Sequence, residues 1–489
     1  MAFQKGFFQK LLSVALFGLI LMENKAHSQN EIIWGDSLVV RQAAHFISSP
    51  RIKTMGDGSV VAIWGESSSP GKIWCSRLEN DQFGTPVSVV TTAPGPALFG
   101  FGGFDVAVYN QTIFVVFERL GGGIFLSRSD DGGQTFLPPF DVQGTITGGF
   151  STLANIATDE SGNVFVNYIQ EKSSMATQQV RRSTDGGETF SAGVEASLPA
   201  AGTKVCECCI ASPVASNGSV WLAFRNNNAN LRDHWVSRSM DLGETFDLAI
   251  DVDDSDWLIN ICPISAPRMA LSGDSLLVVW KTGAGGGSKV FASSLHGSTM
   301  ILGQQIRLGH PAQLSDNQNL PDITAEGDTL GIVFQESQRI AFYFSTDGLS
   351  GLSAHYTHFE EADQILSYPS VAYRDGVFHL VYVNTNAHTI IYRRGTLSAV
   401  LDALALDRRP EAIAISPNPA RDEILIHLPE NSGVSRWQVQ SASGKTVLFG
   451  GFSGESNLEK ILVRQLPPGI YLLHIQNNGG LKLGKFIKN

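Results

Sequence analysis

Residues 104–136 read FDVAVYNQTIFVVFERLGGGIFLSRSDDGGQTF. A short apolar piece ends at Tyr109, a turn at Asn110 reverses the chain, and a second apolar run closes on Phe117. A glycine turn then leads to IFLSRS and a further turn rich in Ser, Asp and Gly. Runs this short, punctuated by Gly and Asn, are strands joined by hairpins rather than helices. The same unit recurs with closing aromatics at Trp64, Phe117, Tyr168, Phe224, Trp280, Phe334 and Tyr382. The interval between them averages about 53 residues, the length of a four-stranded propeller blade. Seven copies over residues 31–397 predict an all-β propeller of seven blades, or six if one copy is a decorated insertion. The last copy lacks a clear fourth strand, and EIIWGDSLVV (31–40) is a spare strand at the start. The expectation is that this N-terminal strand completes the last blade and closes the ring, hiding the sheet edges.

Three units end in S-x-D-x-G-x-T-F: Ser129 to Phe136 with Asp131, Ser183 to Phe190 with Asp185, and Ser239 to Phe246 with Asp241; a degenerate fourth starts at Ser345 and Asp347. Asp and Ser side chains satisfy backbone N–H groups in such a turn, and Gly supplies the positive φ. The pattern resembles the Asp-box repeat of the sialidase superfamily. That resemblance implies a sialidase-like β-propeller with the boxes on the rim, so Asp131, Asp185 and Asp241 are expected to be structural.

Composition suits this fold. Of 489 residues, 50 are Gly and only 17% are charged, with a net charge of −11. No Lys/Arg cluster stands out, which argues against a nucleic-acid partner. Residues 1–28 carry Lys5 and Lys10, an apolar run from Leu11 to Met22, and small Ala26 and Ser28 before Gln29. This is the pattern of a secretory signal peptide, too short to span a bilayer, and no later segment reads as a transmembrane segment. The propeller then occupies 29–397 and a linker 398–412. Residues 413–489 form a small β-sandwich marked by Pro417-Asn418-Pro419, Gly444-Lys445, LPPGIYL (466–472) and Gly484-Lys485-Phe486. The module resembles the C-terminal sorting domain of type IX secretion in Bacteroidetes. That implies the type IX secretion machinery as a partner and an extracellular or outer-membrane surface location.

In a propeller the loops leading into the innermost strands open on one face of the channel, where ligands gather. The repeat alignment puts Arg51, Asp105, Asn155, Val214, Arg268, Asp322 and Ser370 at the start of those strands. Two arginines and two carboxylates suit a glycan or other anionic ligand. Sialidases hold a sugar carboxylate with three arginines, the first in an R-I-P motif; Arg51-Ile52 resembles it, with Lys53 in place of Pro. The resemblance implies Arg51, Arg268 and Arg225 as ligand-binding residues. It implies Tyr368 as nucleophile, with Asp105 or Asp322 as acid/base by position. The helper Glu has no match. The expectations are therefore an exo-sialidase-type glycoside hydrolase, or a surface propeller that binds a glycan or polyanion without cleaving it. As channel-mouth groups, the arginines are expected to be dispensable for folding.

Cys206, Cys208 and Cys209 precede the fourth unit and Cys262 precedes the fifth. Four of the five cysteines should thus meet on the ligand face. Export favours a disulfide from Cys262 to one of the other three. A soft-metal thiolate site, and with it a metal-handling propeller, is the alternative, and free thiols are the third. No cofactor is implied. Cys75 reads as a buried thiol.

Overall fold

The structure is a computed structural model. It describes residues 29–489 apart from 101, 145, 147, 198–203, 310–316, 353–355, 401–410, 428–434, 442–445, 453–457 and 478–479. The expected signal peptide, most of the linker and the Gly444-Lys445 pair lie outside the described residues. Two compact units emerge, Asn30–Ser398 and Ala399–Asn489. No α-helix occurs among the described residues.

The first unit holds seven antiparallel sheets of four or five strands among its described residues. Their innermost strands are Ile47–Thr54, Phe104–Tyr109, Gly149–Thr158, Ser212–Ser216, Arg268–Ser272, Gln318–Glu326 and Leu366–Arg374. We number the blades 1 to 7 in that order. Alternation along each strand places apolar side chains on both faces, and these meet the faces of the neighbouring blades. Apolar clusters consequently fill every inter-blade space, two of them between blades 3 and 4. Phe117 packs between blades 1 and 2, Tyr168 between 2 and 3, and Phe224 between 3 and 4. Trp280 packs between 4 and 5, Phe334 between 5 and 6, Tyr382 between 6 and 7, and Trp64 between 7 and 1. All seven closing aromatics are buried.

Strands from both ends of the unit close the ring. Gln29–Trp34 and Leu38–Gln42 both pair with Thr389–Val400, the third strand of blade 7. Trp34 meets Phe342 and Phe359 edge-on at 5.1 and 4.8 Å.

The three S-x-D-x-G-x-T-F turns, the boxes of the sequence pattern, share one geometry. In the second, Gly187 N–H donates to Ser183 Oγ at 2.8 Å, while Asp185 accepts from Ser183 Oγ, Glu188 N–H, Thr189 N–H and Thr189 Oγ1. Gly187 has φ +84°, and a Cβ there would lie 2.8 Å from the Phe114 ring of blade 2. An arginine of the preceding blade also reaches each box: Arg77 donates to Gly132 O, Arg128 to Gly186 O and Arg182 to Leu242 O. The boxes join third to fourth strands, at the end of the ring opposite the loops that lead into the innermost strands.

Hydrogen bonds from Ser183 and Thr189 hold Asp185 below the usual carboxylate range. Asp241 lies at about 2, because its hydrogen bonds to Thr245 and Ser239 outweigh its desolvation. A depressed carboxyl stabilises the fold above its unfolded value and loses that contribution as pH falls through the folded one. Asp185→Ala is therefore expected to cost about 1 kcal/mol at neutral pH, with the gap to wild type narrowing steadily as pH falls below about 4. Urea unfolding at stepped pH measures it, and a gap undiminished at pH 2 would contradict the reading.

The second unit packs two sheets around Ile424, Ile426, Val439, Leu473, Ile475 and Phe486, all nearly inaccessible. Asn418 ties its start to its end, donating to Lys485 O and accepting from Ile487 N–H.

Candidate functional site

All seven innermost strands line a bore of about 340 Å³, which includes Arg51, Lys53, Asp105, Arg268 and Asp322. A smaller cavity of about 30 Å³ lies at the starts of these strands, where Arg51, Arg268 and Asp322 meet Ser49, Ile264, Leu320 and Tyr368. The charged groups form the collar between the two spaces. The equal place of the charged residues in each repeat brings them there, because a propeller puts the same residue of each innermost strand at the same height.

A bulge just upstream shapes the mouth. The inner ladder slips between Ser48 and Arg51, Thr152 and Asn155, Asn319 and Asp322, and Ser367 and Ser370. Two residues before the collar position, φ is positive at Gly103, Leu153, Leu320 and Tyr368. Three of these four are bulky residues in the left-handed region, a costly conformation that the surroundings must enforce. It re-aims the side chain at that position.

Arg51 Nε donates to Asp105 Oδ1 at 3.2 Å, and both residues are buried. Arg268 Nε lies 4.0 Å from Asp322 Oδ1. The other oxygens staple blades together: Asp105 Oδ2 accepts from Ile156 N–H at 3.4 Å and Asp322 Oδ2 from Val371 N–H at 3.1 Å. Ser370 Oγ does the same for Ile52 N–H at 3.4 Å. Burial alone would raise the Asp105 carboxyl, but Arg268, Arg51 and Lys53 hold it below its ordinary value. Burial pushes Lys53 down, against the attraction of Asp105 and Asp322.

Several expectations change here. An acid/base carboxyl works best with a raised pKa; Asp105 is held below its ordinary value, and Asp322 Oδ2 accepts from Val371 N–H with Arg268 4.0 Å from Oδ1. Both act as ionic staples. Arg51 is a buried half of an ion pair, so removing it is expected to cost stability. Tyr368 does line the mouth, with its ring edge-on to Phe46 at 6.0 Å. Burial raises its hydroxyl, and no Glu is among the described residues that line the cavity.

Arg225 is not at the collar. It is 1% exposed, stacks on Trp257 at 5.1 Å and donates to Arg232 O and Lys281 O. Its strand ends at the mouth face, but as a second strand it is set back from the bore. Trp257, about thirty residues on, covers it. Lys53, which stands where the R-I-P motif has Pro, is a third basic residue of the bore.

The cysteines do converge. Cys206 pairs with Cys209, and Cys208 with Cys262. Cys75 is free and buried, its thiol pushed up to about 12 by burial.

Residues 414–489 match the family described as secretion system C-terminal sorting domain. The second unit is thus a sorting domain, and the chain is exported by type IX secretion to the cell surface or beyond. No curated protein matches the chain. Among solved structures, a protein of unknown function from Dyadobacter fermentans is 12% identical, with TM-score 0.44, over 75% of this chain and 99% of that one. A Hadza microbial sialidase is 14% identical, with TM-score 0.42, over 75% and 69%. A polysaccharide lyase, Uly1, is 13% identical, with TM-score 0.49, over 73% and 91%.

Proposed function

We propose that this exported propeller binds a carboxylate-bearing sugar of a glycan at the mouth of its bore and does not cleave it. One observation carries the reading: two guanidinium groups, Arg51 and Arg268, line both the bore and the small cavity at its mouth, and Arg268 Nε stands 4.0 Å from its carboxylate, Asp322. A sugar carboxylate would complete the collar through charge-assisted hydrogen bonds to the guanidinium groups. A desolvated collar strengthens that attraction and gives it direction.

A second reading, hydrolysis of sialidase type, is favoured by one feature. Tyr368 shares the mouth with Arg51 and Arg268. Against it stand the missing carboxylate partner for Tyr368 and the stapled state of Asp105 and Asp322.

The test is titration calorimetry of the full chain with sialic, glucuronic and galacturonic acids and neutral hexoses, with sugar release from oligosaccharides capped by each acidic sugar assayed in parallel. Acidic sugars should bind and neutral ones should not. Arg268→Gln should weaken binding by about 10- to 150-fold, from the loss of 1.5–3 kcal/mol of charged hydrogen bonding. Equal binding of acidic and neutral sugars would refute the collar as the site. Release of sugar that stops in Tyr368→Phe would establish the hydrolase instead.

A further inference from the structure

Beside the mouth, the four sulfurs of Cys206, Cys208, Cys209 and Cys262 all lie within 4.8 Å of one another. Two independent disulfides need only pairwise approach. Here sulfurs of different bridges also meet, with Cys206 and Cys208 Sγ 3.8 Å apart. Zinc–sulfur bonds of about 2.3 Å in a tetrahedron put sulfurs at roughly that same spacing. Arg232, 5% exposed, aims Nη1 at Cys206 Sγ at 3.2 Å, while half-exposed Glu207 stands 3.8 Å away from its guanidinium. A neutral disulfide sulfur is a weak acceptor for a buried guanidinium, whereas a thiolate is a strong one. Cys206 and Cys209 are fully enclosed, and Cys208 and Cys262 are half-buried. The cluster thus has a closed floor and an open side through which a cation could enter.

We propose that these four cysteines form a redox-locked zinc-class site: two disulfides when oxidised, and a tetrathiolate for one soft divalent cation when reduced. Arg232 offsets part of the negative charge of the loaded site. Two equivalents of a dithiol reduce the two bridges, delivering four electrons and four protons and leaving as cyclic disulfides. The four thiols then release four protons as the cation binds. Two equivalents of a two-electron thiol oxidant such as diamide reverse the change. Four thiolates become two disulfides, the oxidant takes up four electrons and four protons from solvent, and the cation is expelled. The site is separate from the collar and does not depend on what the collar binds.

The test uses the full chain, reduced anaerobically with dithiothreitol, freed of reductant and titrated with Co2+ and then Zn2+. One cation per chain is expected, with thiolate-to-cobalt charge transfer, tetrahedral d–d bands and four thiols shielded from alkylation. Diamide should release the cation stoichiometrically. Cys208→Ser and Cys262→Ser should each lose the tetrathiolate spectrum, and Arg232→Gln should weaken Co2+ binding by about 10- to 100-fold. Circular dichroism follows the fold throughout. If reduction unfolds the chain, the cation must restore it. Absence of a stoichiometric cation, failure to restore the fold, or a spectrum that survives in both serine variants would overturn the proposal.

Discussion

Asp105→Asn is expected to cost about 3–5 kcal/mol of stability, because it leaves a buried guanidinium without its counter-ion. In the same protein it should raise affinity for an acidic sugar by about tenfold, near 1.4 kcal/mol. The two effects have opposite signs for one reason. Asp105 is the ionised partner of Arg51, and with it gone Arg51 and Arg268 face Asp322 alone. The amide still offers an oxygen to Ile156 N–H, so the blade 2–3 staple is retained and the change is one of charge. Ligand at a hundredfold excess over its Kd should return about 2.7 kcal/mol by mass action. Urea unfolding with and without glucuronate, together with calorimetry, reads both quantities. A loss of affinity would refute the charge balance assigned to the collar, and unchanged stability would refute the burial of the pair. The sign of the pH effect is fixed too. The Asp105 carboxyl is depressed, so its contribution is present at neutral pH and disappears as acid titrates it below the ordinary carboxylate range.

Removing residues 29–42 is expected to abolish the folded monomer. Those residues supply both strands that pair with Thr389–Val400, the Trp34 ring against Phe342 and Phe359, and Leu38 and Val40 against the blade 7–1 core. Burying each such side chain is worth about 1.5–3 kcal/mol, so together they approach the whole 5–15 kcal/mol of a typical fold. The deletion also bares a long apolar edge, a template for association. Size-exclusion chromatography should show aggregate, and a synthetic peptide of residues 29–42 added during refolding should recover monomer. A truncated monomer with an unshifted melt would show that the ring does not rely on this closure.

The fold was legible because each blade repeats one local solution. Seven turn-separated apolar runs, seven closing aromatics and a spare N-terminal strand all describe the same ring. The site was legible only to the depth of position. Equal places in the repeat put Arg51, Asp105, Arg268 and Asp322 at one height. Nothing local says that the carboxylates turn sideways to the next blade's backbone, since that contact spans about fifty residues. The sequence position of Arg225 misleads for the same reason, because its cover, Trp257, comes from another loop. Lys53 went unweighted because it alternates with Arg51 on the same inward face, a fact visible only once the strand is set against the bore. The arginine before each box serine, Arg128 or Arg182, was a signal in plain view. In those two units the string R-S-x-D-x-G names the residue that reaches the following box.

The joining of the chain's first and last propeller strands in one sheet makes completion of the ring a measure of length. A chain threaded N-terminus first presents Gln29–Trp34 early, and the strand it must grip, Thr389–Val400, arrives last. Bringing ends about 350 residues apart together costs about 5 kcal/mol in chain entropy, so the seam forms after the intervening blades have drawn its two sides together. A product cut short before residue 389 has every other blade and no seam. It keeps an open edge, and proteases and chaperones can tell it from a finished molecule without recognising any particular sequence.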